Sequence, residues 1–147
     1  GGFSGEMQPT RYPNSWHHVE QLLAEDTTRN RVLFLPWHGY PKLDFARNAR
    51  VANPAQRFFS FPIIAGKNID NVFLLETAQT KWDRTLTNLV LGTEMLENKK
   101  GFLQEEKVTH IILAKIHDWE KYSFLWESSL LEVIFEDEDI AVFILMP

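Results

Sequence analysis

The alternation of apolar and polar positions along this 147-residue chain predicts strands and helices in turn. Residues 31–36, "RVLFLP", are almost all apolar and end on a proline, which is typical of a short strand buried on both faces. Residues 108–115, "VTHIILAK", have the same character and form the clearest strand pattern in the sequence. These two runs therefore predict the central strands of a sheet that is covered on both sides.

Helical periodicity marks three other segments. The first follows Asn14 or Ser15, either of which can cap free amide groups at a helix start. The second spans residues 84–98, where leucine and valine recur at helical spacing around a glycine that weakens the helix. The third begins at the capping residue Asp118 and repeats aromatic side chains at the same spacing. Each segment has one apolar face, so each is expected to pack against the sheet.

The remaining apolar runs predict shorter strands. Residues 57–66, "RFFSFPIIAG", and residues 71–77, "NVFLLET", are extended pieces separated by a turn-like stretch. Residues 130–145 hold two apolar runs around the acidic "EDED", which predicts a β-hairpin with a solvated turn. Helices and strands in this order predict an α/β fold: a layered mixed sheet with flanking helices, Rossmann-like, that ends in a C-terminal β-hairpin.

The chain length and composition predict one folded domain over residues 12–147. Residues 1–11 are rich in glycine and polar side chains, so they are interpreted as a linker or an expression scar. The missing initiator methionine indicates a chain cut from a longer protein. The longest apolar run has seven residues, 140–146, whereas a membrane-spanning helix needs roughly 20, so no crossing by this chain is predicted.

Charge and motif content exclude several function classes. The 15 basic and 20 acidic residues give a net charge of −5 without a basic stripe, so nucleic acid is not an expected partner. The absence of cysteine excludes disulfides, a thiol nucleophile and cysteine-ligated zinc. Signatures for phosphate loops, serine-hydrolase elbows and zinc-protease helices are also missing. No cofactor and no metal are therefore expected, and no catalytic residue is assigned.

The loop after the first predicted strand, "LPWHGYPKLDF", is the best candidate for a binding site. Loops at the carboxyl ends of strands form the ligand crevices of open α/β sheets. Two aromatic side chains here can offer flat apolar faces to a sugar ring, while nearby polar groups bond its hydroxyls. The predicted substrate-binding residues are Trp37, His38, Tyr40, Asp44, Arg50 and Asn53.

The same residues have a purely structural interpretation, which buried aromatic side chains favour in general. In it, Trp37 and Tyr40 cover the sheet edge and Asp44 pairs with Arg47 or Arg50. A phenylalanine-rich segment, residues 57–61, has two interpretations as well: an exposed interaction patch or ordinary strand core, of which the core is favoured.

Histidines and carboxylates outside this loop are weaker candidates. His17 and His38 can form part of a zinc site, but His17 and His18 point about 100° apart on a helix and cannot easily share an ion. His110, inside the apolar strand, is interpreted as a hydrogen-bonded core residue. Asp118 and Glu120 resemble the paired carboxylates of glycosidases, although helix capping explains Asp118 more simply.

Several segments together resemble a known class of domain: "YPNSWHHVEQLL", "RVLFLPWHGY", "RVANPAQRFF" and "VTHIILAKIHDWEKYSFL" followed by "LEVIFEDEDIAVF". They resemble the soluble C-terminal domain of large polytopic membrane proteins in bacteria and archaea. Those proteins are similar to GT-C superfold glycosyltransferases, the class that uses lipid-linked sugars. The resemblance runs from Tyr12 to Leu145 and consists of packing and turn patterns. It implies an extracytoplasmic domain that follows membrane helices, with the catalytic carboxylates of the parent in a loop absent from this chain.

Three functions are therefore compared. The favoured hypothesis is a non-catalytic accessory or binding domain of a membrane glycosyltransferase-like protein. Its partners are the membrane-embedded portion of the same parent chain and a glycan or lipid-linked sugar, on the extracytoplasmic face, with a cytoplasmic location as the alternative. The other hypotheses are a small free-standing enzyme with its site at residues 37–53, and a protein–protein interaction module with an exposed apolar patch.

Overall fold

A computed structural model describes residues 12–37, 55–66 and 78–147 of the chain. Among these residues, helices alternate with strands up to a C-terminal hairpin, and two single 3-10 turns connect helices and strands. The strands are β1 (Arg31–Leu35), β2 (Ile63–Ile64), β3 (Val108–Ala114), β4 (Leu131–Glu136) and β5 (Ile140–Leu145). The helices are α1 (Asn14–Ala24), α2 (Ala55–Phe58), α3 (Ala78–Leu91), α4 (Lys100–Glu105) and α5 (Phe124–Glu127), with 3-10 turns at Leu96–Lys99 and Trp119–Tyr122.

The described strands form one mixed sheet in the order β2-β1-β3-β5-β4. Strand β1 is parallel to both of its neighbours, and Leu33 of β1 lies opposite Ile64 of β2 and Ile111 of β3. Strand β5 is antiparallel to β3 and to β4, which closes the chain as a hairpin. The predicted α/β fold, a mixed sheet with flanking helices and a C-terminal hairpin, is confirmed.

The sheet separates two apolar cores, because successive side chains of a strand point to opposite faces. On one face, Leu33 and Leu35 of β1 and Ile111 of β3 pack beneath α3 and the segments that follow it. On the other face, Val32 and Phe34 of β1 pack beneath α1 and α2. The two central strands are buried on both sides, as their continuous apolar runs predict.

Helix starts are where the structure departs most from the sequence interpretation. Helix α1 begins at Asn14 without any side-chain cap, and Ser15 is buried with its hydroxyl unpaired among the described residues. Helix α3 begins at Ala78, six residues before the predicted start at Arg84. It ends at Leu91, because Gly92 takes a positive φ of 81° that terminates helices at low cost.

The segment after β3 contains less helix than predicted. Instead of one helix from Asp118, the chain forms the 3-10 turn Trp119–Tyr122 and then the single turn α5. Asp118 does not cap either of them with its side chain; its backbone is left-handed, with φ 64°. The phenylalanine-rich segment 57–61 is mainly core, since Phe59 and Phe61 are each 5% exposed.

Two further sequence predictions lie outside the described residues. These are the linker at residues 1–11 and the strand at residues 71–77. Within the described ranges, no helix combines the length and the apolar character that crossing a membrane requires.

Candidate functional site

A cleft opens at the carboxyl ends of β1 and β3, the two central parallel strands. The chain leaves β1 toward β2 on one side, and returns from β2 to β3 on the other side of β1. The intervening helices lie on opposite faces of the sheet, α2 with one core and α3 with the other. Their connections therefore diverge between β1 and β3, which is the switch point where open α/β sheets bind ligands.

The cleft has a volume of about 260 Å³ and an apolar lining with a polar edge. That volume is slightly below the roughly 300–1,000 Å³ of pockets for drug-sized ligands, so it suits a single sugar ring or a group of similar size. Its walls come from three places: the end of β1, one face of α3, and the loop and 3-10 turn after β3. The lining residues are Pro36, Trp37, Leu86, Thr87, Val90, Leu91, His117, Asp118, Lys121 and Tyr122.

The inner end of the cleft is its buried part, which includes the aromatic residues Trp37 and Tyr122, 1% and 7% exposed. The Trp37 amide donates a 3.0 Å hydrogen bond to the Tyr122 hydroxyl, joining the end of β1 to the 3-10 turn after β3. The Trp37 indole N–H donates to the Asp83 carboxylate on α3. Burial raises the pKa of Tyr122, so its phenol stays protonated at neutral pH.

A close backbone approach holds Trp37 in this position. Gly66, just after β2, lies so near that a β-carbon there would stand 2.0 Å from the Trp37 carbonyl oxygen. Only glycine fits at that separation, because every other residue carries a β-carbon. The glycine that ends the predicted strand segment 57–66 is therefore needed to bring the ends of β1 and β2 together.

Helix α3 supplies the apolar wall of the cleft. Leu86 is 4% exposed and belongs to the core, whereas Leu91, at the last position of the helix, is 68% exposed at the cleft mouth. Val90 lies between them in exposure and packs partly against the core. The wall thus runs from a buried base to an exposed apolar edge, which a ligand with an apolar face can cover.

The polar edge consists of His117, Asp118 and Lys121. His117 Nε2 lies 3.1 Å from Asp118 Oδ2, and Lys121 Nζ lies 3.7 Å from the same oxygen. All three side chains are more than half exposed, so they face a ligand from the solvent side. The left-handed backbone of Asp118 costs free energy, and residues held in such conformations are enriched at functional sites.

The Asp118 carboxylate has hydrogen-bonding capacity left over. The His117 ring nitrogen and the Lys121 ammonium group both approach Oδ2, which leaves Oδ1 as an acceptor for a ligand hydroxyl. The Lys121 ammonium group brings donors to the cleft mouth. The edge therefore combines donors and an acceptor with no large excess of either charge, which suits a neutral ligand rich in hydroxyls.

Of the six residues predicted to bind substrate, only Trp37 is among the described residues. Its side chain lies at the inner end of the cleft and is hydrogen-bonded to Asp83. The other five lie outside the described ranges: His38, Tyr40, Asp44, Arg50 and Asn53.

The sequence interpretation did not assign the second half of the cleft, since it considered Asp118 as a carboxylate of a glycosidase-like pair but favoured helix capping. It chose the loop after the first central strand, but the rule about carboxyl ends applies equally to the loop after β3. Applied there, the rule points to His117 and Asp118, which directly follow the clearest strand pattern. Tyr122 and the α3 wall give no comparable signal, since aromatic and leucine residues at helical spacing are usual in any core.

Other titratable groups occupy structural positions. His110 is fully buried in β3, with Nδ1 2.8 Å from Thr109 Oγ1. The rings of His17 and His18 pack against Phe58 and Phe135, with centroids 5.0 and 4.7 Å apart. No group of three or more potential metal ligands occurs in the part of the chain that the structure describes.

Comparison of the chain with protein-family models, with curated proteins and with solved structures gave no match. The functional proposal therefore depends on the cleft geometry and on the sequence resemblance described above.

Proposed function

We propose that this domain is a non-catalytic glycan-binding unit of a membrane glycosyltransferase-like protein, and that its cleft at the ends of β1 and β3 holds one sugar ring. The observation that carries the proposal is the combination of an apolar wall and a mixed polar edge at the switch point of the sheet. Sugars have apolar C–H faces and hydroxyl rims, so they need both kinds of contact from one site.

The contacts available match a sugar ring in size and chemistry. Leu86, Val90 and Leu91 can cover one ring face, while Asp118 accepts hydroxyl protons and Lys121 donates to hydroxyl oxygens. An anionic ligand is disfavoured, because the Asp118 carboxylate would repel it and already lies beside the Lys121 ammonium group.

The wider setting comes from the resemblance in sequence. It supports a parent chain with a membrane-embedded portion, an extracytoplasmic location, and a glycan or lipid-linked sugar as the ligand. Chemistry on that ligand then belongs to the parent, and this domain contributes binding and orientation.

The test is NMR chemical-shift perturbation on the ¹⁵N-labelled chain with methyl glycosides and a short-chain lipid-linked sugar. We expect saturable shifts centred on residues 86–91 and 117–122. Asp118→Asn is expected to weaken binding about fivefold to tenfold by removing a charged acceptor, whereas Glu120→Gln, beside it and outside the cleft, leaves affinity unchanged.

A second matched pair tests the apolar wall. Leu91 and Met95 are similarly exposed, at 68% and 63%, but only Leu91 lines the cleft. Leu91→Ser is expected to weaken binding and Met95→Ser to leave it unchanged. Absence of shifts with every ligand in the folded chain, or shifts confined to another surface, would contradict the proposal.

A further inference from the structure

The hydroxyl of Tyr122 has one hydrogen-bonding role that the described residues do not fill. A phenol oxygen accepts up to two hydrogen bonds and donates one. The Trp37 amide uses one acceptor position, at 3.0 Å. No acceptor within residues 12–37, 55–66 or 78–147 takes the phenol proton, although the side chain is only 7% exposed. A buried donor without an acceptor is unfavourable, so the proton needs a partner from outside these residues.

The position of this hydroxyl decides where that partner comes from. Trp37 and Tyr122 both line the cleft, and the bond between them spans its inner end. Leu91 and Asp118 are exposed whereas Tyr122 is buried, so a ligand in the cleft meets the polar edge and the Tyr122 hydroxyl with different ends. Because the phenol oxygen already accepts from an amide, its O–H is polarised and is a stronger donor than an isolated phenol.

We propose that Tyr122 donates its hydroxyl proton to one oxygen of the bound ligand and thereby fixes which end of the ligand enters the cleft. The ligand atom is an uncharged acceptor, a hydroxyl or ring oxygen, on a molecule that also donates hydroxyl protons to Asp118 at the mouth. This inference rests on the proposed function: it assigns the specificity-determining contact of that same site.

The two polar contacts have opposite hydrogen-bonding roles, so the site distinguishes the two ends of a ligand. The inner contact is a donor from the protein, and the outer carboxylate is an acceptor. A ligand with hydroxyls at both ends satisfies both contacts, since a hydroxyl can donate and accept. A ligand with only apolar groups at its inner end leaves the buried phenol proton unpaired and binds more weakly.

The test is a double-mutant cycle between the protein and the ligand. Wild type and Tyr122→Phe are titrated with methyl glucoside, galactoside and mannoside and with the monodeoxy analogues of each. We expect Tyr122→Phe to weaken the parent glycoside about fivefold to tenfold, as the loss of one hydrogen bond implies. One deoxy analogue should show the same loss on wild type and no further loss on the variant.

The outcomes separate this inference from the proposed function. If no glycoside binds wild type, both are wrong. A different result is that glycosides bind but Tyr122→Phe lowers the affinity for all deoxy analogues by the same factor, or for none of them. The glycan site then stands and the Tyr122 contact is wrong. Tyr12→Phe, on the other face of the sheet, is the matched control and should leave affinity unchanged.

Tyr122→Phe also removes the acceptor of the Trp37 amide and can therefore disturb the fold. A second measurement uses only the wild-type protein. In wild-type protein, the Tyr122 hydroxyl proton is followed by NMR as the glycoside is added. We expect slower exchange with water and a downfield shift on saturation. An unchanged hydroxyl resonance at full occupancy would overturn the proposed contact even if Tyr122→Phe fails to fold.

Discussion

The ammonium group of Lys115 donates a 2.7 Å hydrogen bond to Oε2 of Glu136 and thereby joins the end of β3 to the end of β4. The Lys115 side chain is only 12% exposed, and its Nζ lies 5.2 Å from the ring centre of Trp119 and 5.8 Å from that of Trp126. The Trp126 indole donates to the other carboxylate oxygen at 3.1 Å. Because Lys115 and Trp119 bracket residues 116–118, this cluster also anchors the polar edge of the cleft.

Glu136→Gln is expected to lower the free energy of unfolding by about 1 kcal/mol. The substitution leaves the Lys115 charge among aromatic rings without its carboxylate. The loss is smaller than the roughly 1.5–3 kcal/mol of a buried charged hydrogen bond, because the Glu136 side chain is 37% exposed. Urea unfolding followed by tryptophan fluorescence measures it. Glu138→Gln, in the same turn, should change stability by less than about 0.5 kcal/mol; equal losses would contradict the role of the pair.

Stability below neutral pH is expected to depend on His110. Burial lowers the pKa of this histidine and outweighs the opposing effect of the Asp26 carboxylate. His110 Nε2 lies 3.3 Å from Asp26 Oδ2 but lacks hydrogen-bond geometry, as suits a neutral ring. In the unfolded chain a histidine titrates near pH 6.5, so on acidification the unfolded state takes up the proton first.

The free energy of unfolding should therefore fall as pH drops below about 6.5, by up to about 1.4 kcal/mol per pH unit, until the folded protein is also protonated. Urea unfolding between pH 7.5 and 5.0 measures the slope. His110→Gln should reduce it, whereas His17→Gln, on an exposed position of α1, should keep it. A flat wild-type profile in this range would show that His110 does not control acid stability.

Glu97→Gln is expected to destabilise the fold by about 1 kcal/mol through the turn that precedes β4. The Glu97 carboxylate accepts hydrogen bonds of 2.9 Å from the Ser128 hydroxyl and from the Ser129 amide. The bond from the Ser129 amide is the main reason why the pKa of Glu97 lies below its usual value. The ionised Glu97 carboxylate should thus stabilise the fold fully at neutral pH, and this stabilisation should be lost as the pH falls below about 4.5.

Thermal unfolding at pH 7 and pH 3.5 measures this effect, with Glu94→Gln as the control from the same segment. The difference between Glu97→Gln and wild type should be clear at pH 7 and shrink at pH 3.5. A difference that is the same at both pH values would exclude the carboxylate as its cause.

The central strands and the hairpin could be predicted from sequence because burial alone determines their pattern. Residues 31–35 and 108–114 are buried on both faces, so their apolar runs are continuous, and "EDED" marks the hairpin turn directly. Helix starts were harder to predict. Asn14 and Asp118 are favourable capping residues, yet neither caps a helix with its side chain. Asn14 is already the first residue of α1, after Pro13 at the cap position, and Asp118 adopts a left-handed backbone.

The cleft could be predicted only in part, because its two halves are far apart in sequence. The amide of Trp37 and the hydroxyl of Tyr122 meet across 85 residues, and no local pattern encodes that contact. The strand-end rule identifies the right edge of the sheet, but the sheet order decides which loops meet there. Strand order becomes known only from the structure.

Gly66→Ala is expected to destabilise the protein by about 3 kcal/mol and to disturb the cleft. An added β-carbon would lie 2.0 Å from the Trp37 carbonyl oxygen and 3.0 Å from its carbonyl carbon. Both are backbone atoms, so the overlap cannot be relieved by a side-chain rotation, and the cost falls at the upper end of overpacking effects. Relief requires Trp37 to move, and with it the hydrogen bond to Tyr122.

Gly101→Ala is the matched control, since a β-carbon there meets nothing within 4 Å and the residue lies in helix α4. It should stabilise the protein by about 0.5–1 kcal/mol, the usual gain when alanine replaces glycine in a helix. Urea unfolding and ¹H–¹⁵N spectra of both variants measure the two effects. Gly66→Ala should shift the amide resonances of Leu35, Trp37 and Tyr122 and weaken glycoside binding. Wild-type stability and unchanged resonances in that variant would show that the backbones at Gly66 and Trp37 can separate without cost.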